Sequence, residues 1–496
     1  MCEGINWRNL ENWKEAFDIL EERDYNKIVV KYLQERTVVE ILGKDFYEDV
    51  HKNASVICKA DLQGKHIGLI GETSYDLLVN FCAILYTGSV AVVVSKDLTA
   101  KELNKIVEQA EMSALIYDID QEKICLQVDH NVKLIAIGRT DISDVLSMEE
   151  ERKKDNFHIV NNTHREDMVN ISFTSGTSGK NKAVIHTNGT LIAGTFPDVF
   201  GEDFNSLLVM FPFHHVTGFV LPLVGLSQGK TVCIGSGFQN IYRYLRLLKP
   251  DCILLVPALL ESICRKLKKH TQEELGWNLK LIVCGGAKCP VYLFEIVMKR
   301  GIIMKQAYGA TETLGRGIIC RVSSGNLDSI GRPGYLMEAN LADGELLLKG
   351  PSLCAGYYKN PEETSRTFIN GWYHTGDLAE VDEEGMYYLT GRKKNLIILS
   401  NGENVSPEEI EQKIIKHKEI KEILVREERG FIGAVIFPEY PKSADDVERA
   451  LYRQRIDAIV DDYNLSVPSY KQIEFITYVQ EPLPKTASGK VIRYNQ

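Results

Sequence analysis

A chain of 496 residues with 58 Lys and Arg against 68 Asp and Glu carries a formal charge of −10. That balance excludes a general nucleic-acid binder, which needs a surplus of cations to neutralise phosphates. With 44% hydrophobic and 25% charged residues the chain has a globular balance, which excludes disordered and collagen-like classes, and its length predicts roughly three domain-sized units.

The predicted elements begin with two alternating runs, Lys27–Leu33 and Arg36–Leu42, separated by Gln34-Glu35 as in a hairpin. Phe46, Val50, Ala54 and Ile57 mark a helical face, and His66–Ile70 reads as a buried strand. A helix over Tyr75–Tyr86, a strand over Val90–Val94 and a helix over Lys101–Ala110 follow. Strand–helix alternation of this kind builds a parallel sheet covered on both faces. It returns in Leu207–Met210, Thr231–Ile234, Cys252–Val256 and Leu279–Val283, with a helix over Leu259–Lys269. From about 317 to 391 short β runs broken by glycine predict a small barrel or a third sheet. Beyond the charged joint Gly391–Asn395 a separate unit is expected. Ser406-Pro407-Glu408-Glu409 reads as a capping box opening a helix, followed by a hairpin (Glu422–Arg426 against Phe431–Phe437) and a helix from about 445 to 463.

The eleven cysteines are scattered without a C-x-x-C pair, as reduced thiols are. Apolar stretches such as Cys252–Leu260 are half the length of a bilayer span, and Met1-Cys2-Glu3-Gly4 lacks a basic-then-apolar leader profile. The expectation is a cytoplasmic protein without a transmembrane segment or nucleic-acid partner.

Chemistry concentrates in a few stretches. Thr174-Ser175-Gly176-Thr177-Ser178-Gly179-Lys180-Asn181-Lys182 packs four hydroxyls, two glycines and two ammonium groups into nine residues. Glycine lets backbone N–H groups converge on phosphate oxygens, and hydroxyls and lysines add donors and charge. It is not a Walker A loop, because Asn181 stands where Ser or Thr is needed, and read alone it is also compatible with a flexible connection. Tyr308-Gly309-Ala310-Thr311-Glu312 follows a strand-like run, offering a stacking face and a hard oxygen for Mg²⁺. Tyr373–Asp377 reads as a loop that could place Asp377 on a ribose, and Lys490 lies in the polar tail Pro484–Arg493. Phe211–Gly218 puts His214 and His215 at a strand end without a third ligand for zinc, so a pocket-lining histidine is expected.

In this order the segments resemble the adenylate-forming superfamily, which includes acyl- and aryl-CoA synthetases, luciferase and peptide-synthetase adenylation domains. The closest likeness is to long-chain acyl-CoA synthetases. The strongest portions are Gly356–Pro361, Gly371–Leu378, Leu389–Arg392, Asn401–Glu411 and the Lys490 tail. The resemblance implies an α/β fold. A large N-terminal domain, 1–392, would hold two α/β sheets and a small β-barrel-like subdomain, and a mobile α+β C-terminal domain, 393–496, would act as a lid.

The resemblance also implies roles. Thr174, Ser175, Gly176, Thr177, Ser178, Gly179 and Lys182 would hold the β- and γ-phosphates of ATP. Tyr308, with Gly309, would lie against adenine, opposite Gly285, Gly286 and Ala287. Thr311 would bind the α-phosphate and Glu312 would hold Mg²⁺, while Asp377 and Arg392 would hold the ribose. Lys394 matches the hinge, Lys490 the catalytic lysine, and His215 joins the catalytic set. The activity implied is ATP-dependent adenylation of a small-molecule carboxylic acid, then transfer to the thiol of CoA or, alternatively, of an acyl or peptidyl carrier protein. A medium or long fatty acid is the first expectation and an aryl acid the second. The Phe211–His215 stretch lacks the carboxylate that amino-acid-activating relatives use. A luciferase-type oxygenase and a non-catalytic nucleotide-binding regulator are the remaining alternatives. Pro-Lys-Gly of the family loop is replaced here by Asn181-Lys182-Ala183.

Overall fold

The computed structural model describes residues 5–128, 131–142, 145–152, 158–174, 182–323, 325–399, 403–441, 445–484, 491 and 493. The chain forms two compact units, one of residues 1–339 and 348–373, the other of 340–347 and 374–496. This division differs from a single cut at 392/393. The reason is local: the paired strands Trp372–Val381 and Tyr387–Arg392, and the segment beside Glu345, share hydrogen bonds that tie Gly344–Leu346 to His374–Ala379.

In the larger unit the strands in chain order are β1 (Ile28–Gln34), β2 (Thr37–Leu42), β3 (His66–Ile70), β4 (Val90–Val94), β5 (Ala114–Tyr117), β6 (Lys133–Ala136), β7 (Leu146–Ser147), β8 (Met168–Thr174), β9 (Lys182–Thr187), β10 (Ser206–Val209), β11 (Thr231–Ile234), β12 (Cys252–Leu255), β13 (Leu281–Gly285), β14 (Ile303–Gly309), β15 (Gly317–Arg321) and β16 (Arg332–Pro333). An eight-stranded sheet runs from the short strand Gly356–Tyr357 through β9-β8-β4-β3-β5-β6-β7. β3, β4 and β5 are parallel, and β4 is all valine and alanine because both its faces are buried. The nine-stranded sheet has the order β16-β15-β14-β13-β12-β10-β11-β1-β2. It is parallel from β1 to β14 and becomes antiparallel at β14–β15 and at the β1–β2 hairpin.

The helix Tyr75–Tyr86 is apolar around nearly its whole circumference because its neighbours bury it on every side; Ser74 caps it by accepting from the Leu77 N–H. Trp13, Phe17, Phe81, Phe213 and Phe219 join one continuous core. Residues 317–321, expected in the small third sheet, instead extend the nine-stranded sheet as β15, and the runs from 338 to 392 other than Gly356–Tyr357 make a five-stranded sheet.

The smaller unit contains Ile420–Glu428 antiparallel to Phe431–Pro438, which pairs in parallel with Ile473–Tyr478. The helices Pro407–Ile414 and Asp446–Leu465 accompany this sheet, and Ile410, Val425, Ile436, Ile456 and Val460 form the core. One local expectation is corrected here. Pro407 does open the helix, but the Ser406 hydroxyl donates to the Thr390 carbonyl at 2.7 Å instead of accepting from the first turn. No helix among the described residues is long and apolar enough to cross a membrane.

Candidate active site

β13 and β14 end side by side, with Gly285 in register with Ala307. A Cβ on Gly285 would lie 2.8 Å from the Ala307 carbonyl oxygen, so only glycine allows this approach. Gly286 (φ +79°) then turns the chain away, leaving Gly286 and Ala287 exposed at the strand end. Tyr308 lies on the adjacent strand end. Ala310–Thr313 closes a tight turn in which the Thr313 hydroxyl accepts from the Ala310 N–H at 3.0 Å. Leu314 (φ 57°) and Gly315 (φ 73°) reverse the chain into β15. The reversal is tight: a Cβ on Gly309 would meet the Gly315 carbonyl oxygen at 2.3 Å. Tyr308, Gly309, Thr311, Glu312, Gly285, Gly286 and Ala287 thereby follow or close the adjoining C-terminal ends of β13 and β14.

Glu312 is buried, and the Tyr357 hydroxyl donates to its Oε1 at 2.9 Å. Burial, then the Glu312 charge, pushes the Tyr357 phenol far above its usual range, so it stays a donor. Glu312 has no cationic side chain within ion-pairing distance among the described residues. Tyr357 was missed as a functional group, although the Gly356–Pro361 motif held it; nothing in that stretch announces a partner 45 residues away. Lys182 stands at the start of β9 in register with Thr174. It is ion-paired with Glu363 and lies 4.9 Å above the Tyr357 ring. Ser175, Gly176, Thr177, Ser178, Gly179 and Lys490 lie outside the described residues.

His214 and His215 lie between β10 and the helix Val216–Ser227, their ring centroids 4.4 Å apart. Burial, reinforced by its neighbour, pushes His214 down to about 4, and burial also lowers His215, so both are neutral near pH 7. The helix that follows contributes Thr217, Val220, Leu221 and Val224 to an apolar cavity of about 60 Å³, whose far wall is Ala307 and Leu314–Ile319. Thr217, two residues beyond His215, lines that cavity.

In the smaller unit Asp377 and Arg392 are register partners, with Arg392 Nε 2.5 Å from Asp377 Oδ1. Tyr373–Asp377, expected to be a loop, lies inside the strand Trp372–Val381, and Glu345 holds that strand just before Asp377. It accepts from the Gly376 N–H at 2.9 Å and from Lys393 Nζ at 2.9 Å, with His374 Nδ1 at 3.4 Å. These partners hold its carboxyl below the usual range, overcoming the opposing effect of burial. Sequence reasoning missed Glu345, since an acidic residue in a β run carries no local signal. Lys394 is exposed in the short turn Lys393–Asn395. Near the chain end, Arg493 Nη1 donates to the Val425 carbonyl at 2.9 Å and its guanidinium pairs with Glu411, while the Leu483 N–H donates to Glu422 at 2.7 Å. Leu483 and Arg493 are both thereby fastened within the smaller unit.

The family model for AMP-binding enzymes matches residues 22–358, more than half of the chain, and that for the AMP-binding enzyme C-terminal domain matches 394–496. The chain belongs to the AMP-binding enzyme family, within the adenylate-forming superfamily. This AMP-binding enzyme is 26% identical over 487 residues to a 2-succinylbenzoate–CoA ligase of Bacillus cereus, covering 92% of this chain and 95% of the relative. Among solved structures it shares the fold of the anthranilate CoA ligase AuaEII in complex with anthranoyl-AMP (TM-score 0.83, 22% identity, 98% and 97% of the two chains). It also shares the fold of the O-succinylbenzoate coenzyme A synthetase of Bacillus subtilis in complex with ATP and magnesium ion (0.78, 22%, 97% and 98%). A third such structure is a Mycobacterium tuberculosis fatty acyl CoA synthetase (0.73, 21%, 97% and 96%).

Proposed function

We propose that this AMP-binding enzyme converts a compact carboxylic acid, of aryl type, into its acyl-adenylate with ATP and then transfers the acyl group to the thiol of CoA. The carrying observation is the Ala307–Leu314 segment, whose two ends line the apolar cavity and which holds Tyr308, Thr311 and the Tyr357-bonded Glu312 between them. The cavity of about 60 Å³ has room for a small end group of the acid. The fatty acid expected first is the weaker choice. The names of the succinylbenzoate and anthranilate ligases support the aryl acid, and the fatty acyl CoA synthetase remains the neighbour on the other side.

In the first half-reaction a carboxylate oxygen attacks the α-phosphorus, the bond to the bridging oxygen breaks, and pyrophosphate leaves. The protein's work is positioning and charge neutralisation. Thr311 and Lys490 stabilise charge on the α-phosphate, and Tyr308 and the Gly285–Ala287 segment flank adenine. Asp377, oriented by Arg392, takes the ribose hydroxyls, and the 174–182 segment holds the outer phosphates. Glu312 fits Mg²⁺: it is a hard oxygen donor whose Oε2 has no partner among the described residues, and a single carboxylate beside substrate phosphates is the usual magnesium arrangement. Bound there, the ion supplies charge neutralisation. In the second half-reaction the thiol attacks the acyl carbonyl and AMP leaves. We place the functional joint at 392/393, with Lys394 as hinge and 393–496 as the moving lid. The C-terminal family match from residue 394 supports that division.

A panel of aryl and alkyl carboxylic acids scored by ATP-dependent pyrophosphate release tests the reading. Release with aryl acids, and thioester formation on adding CoA, is the expected result. Thioester formed only on a holo-carrier protein would transfer the reading to the carrier-loading alternative. No release with any acid would leave a nucleotide-binding regulator.

A further inference from the structure

The cavity next to the Tyr308–Thr313 turn has one charged residue in its wall, Arg316, among otherwise apolar or small neighbours apart from Thr217. Arg316 follows directly on the left-handed pair Leu314 and Gly315, so the backbone reversal fixes where the side chain starts. It retains 7% of its surface. Nη1 donates to the carbonyls of Ala193 at 3.1 Å and Gly194 at 3.4 Å, and Nη2 donates to that of Tyr335 at 3.2 Å. Among the described residues no carboxylate lies within ion-pairing distance. The one carboxylate that supports the cation electrostatically is Asp198, which is solvent-exposed, and burial draws the guanidinium down to about 10.

A buried cation held only by carbonyl dipoles is costly, because an anion that would compensate it is missing. A guanidinium has five N–H donors. Three bonds go to carbonyls, and among the described residues Nε–H and one Nη2 hydrogen have no partner; the Nε–Nη2 side of a guanidinium can grip a carboxylate bidentately. The cavity beside it has room for a group of a few heavy atoms, and Thr217 adds a hydroxyl to the same wall.

We propose that Arg316 is a specificity-determining residue that binds a second carboxylate, at the end of the substrate remote from the one activated, and so selects dicarboxylic acids. The proposal rests on the acid-activating reading above and names its substrate class. The planar fork favours a carboxylate over a bulkier phosphate in a space of this size.

The test uses two matched pairs, 2-succinylbenzoate and terephthalate, each against the analogue in which one carboxylate is a carboxamide. In the wild-type enzyme kcat/KM for pyrophosphate release is expected to be at least about 30-fold higher for a diacid than for its amide, carried mainly by KM. Arg316→Gln is expected to erase that preference, leaving activity on the amide within about threefold, and Arg316→Lys to restore part of it. Equal treatment of both pairs by the wild type overturns the proposal, as does an equal loss on diacid and amide in Arg316→Gln, the mark of a purely structural arginine. If Arg316→Gln does not fold, the wild-type pairs decide alone. If no acid releases pyrophosphate, the acid-activating reading fails, and calorimetry of the same compounds with both proteins judges Arg316. Preferential, Arg316-dependent binding of a diacid upholds it, and equal binding overturns it.

Discussion

Buried charge among the candidate functional residues is treated in opposite ways in the two units. In the smaller unit Asp377 is paired with Arg392, and Glu345 takes up Lys393 with His374 alongside. In the larger unit Glu312 meets a neutral phenol and Arg316 meets backbone carbonyls, while away from the site the same unit pairs charges in the ordinary manner, as Lys305 does with Glu202 at 3.3 Å. Uncompensated charge in a low-dielectric surrounding is destabilising, so an opposite charge arriving with a ligand is favoured there. The contrast separates carboxylates whose charge is met inside the protein from groups whose charge is left to be met by a ligand.

The sharpest break of this comparison comes from Lys490. Lys490→Ala is expected to reduce pyrophosphate exchange by about 10³-fold while leaving thioester formation from supplied acyl-adenylate nearly unchanged. Exchange at the wild-type rate would remove Lys490 from the first half-reaction.

Glu312→Gln and Asp377→Asn set the open carboxylate against the paired one. The first keeps the Tyr357 hydrogen bond but loses the charge. It is expected to cost about 10²-fold in pyrophosphate release with a melting temperature close to wild type. The second strands Arg392, so it is expected to raise the KM for ATP about tenfold and to lower stability by ~1–3 kcal/mol in denaturant titration. If Glu312→Gln were the less stable and the more active of the two, the distinction would be reversed.

Tyr357→Phe is a smaller change. It removes one donor to Glu312 and is expected to lower kcat about tenfold, with an altered Mg²⁺ dependence of pyrophosphate release. An unchanged Mg²⁺ titration would make the phenol a packing group.

The smallest expected effect lies in the clasp near the chain end. Burial pushes Glu411 up to about 7 against the pull of Arg493. The folded chain then binds a proton that the unfolded chain releases near pH 4.5, so this group's contribution to stability is fullest below that pH and is lost as pH rises toward 7. Relative to Glu411→Gln, the wild type is expected to lose ~1–3 kcal/mol between pH 4.5 and 7. Parallel stability curves for the two proteins would show that Glu411 titrates normally.

Much of the fold was legible in the chain. The apolar run Val90–Val94 could only be a strand covered on both faces, and the hairpin around Gln34-Glu35 announced itself by alternation and a turn. The Tyr308–Glu312 and Tyr373–Asp377 motifs stood out by residue type and by their order along the chain, but the loop read at Tyr373–Asp377 is a strand, because Tyr387–Arg392 and Glu345 pair with it. The Ser406 hydroxyl shows the limit: its sequence neighbours offered a cap, but a carbonyl 16 residues earlier offered a better partner.

The sequence by itself determined the alternation of strands and helices, the order of the motifs and the choice of residue types at the ends of β13 and β14, because each depends on periodicity or on neighbours within a few positions. Only the tertiary structure decided that Tyr357 would face Glu312, that Glu345 would anchor the strand before Asp377, and that Arg316 would stand in an apolar wall with no carboxylate at ion-pairing distance among the described residues. Those pairings join residues tens of positions apart, and whether a charge is compensated depends on what folding packs around it.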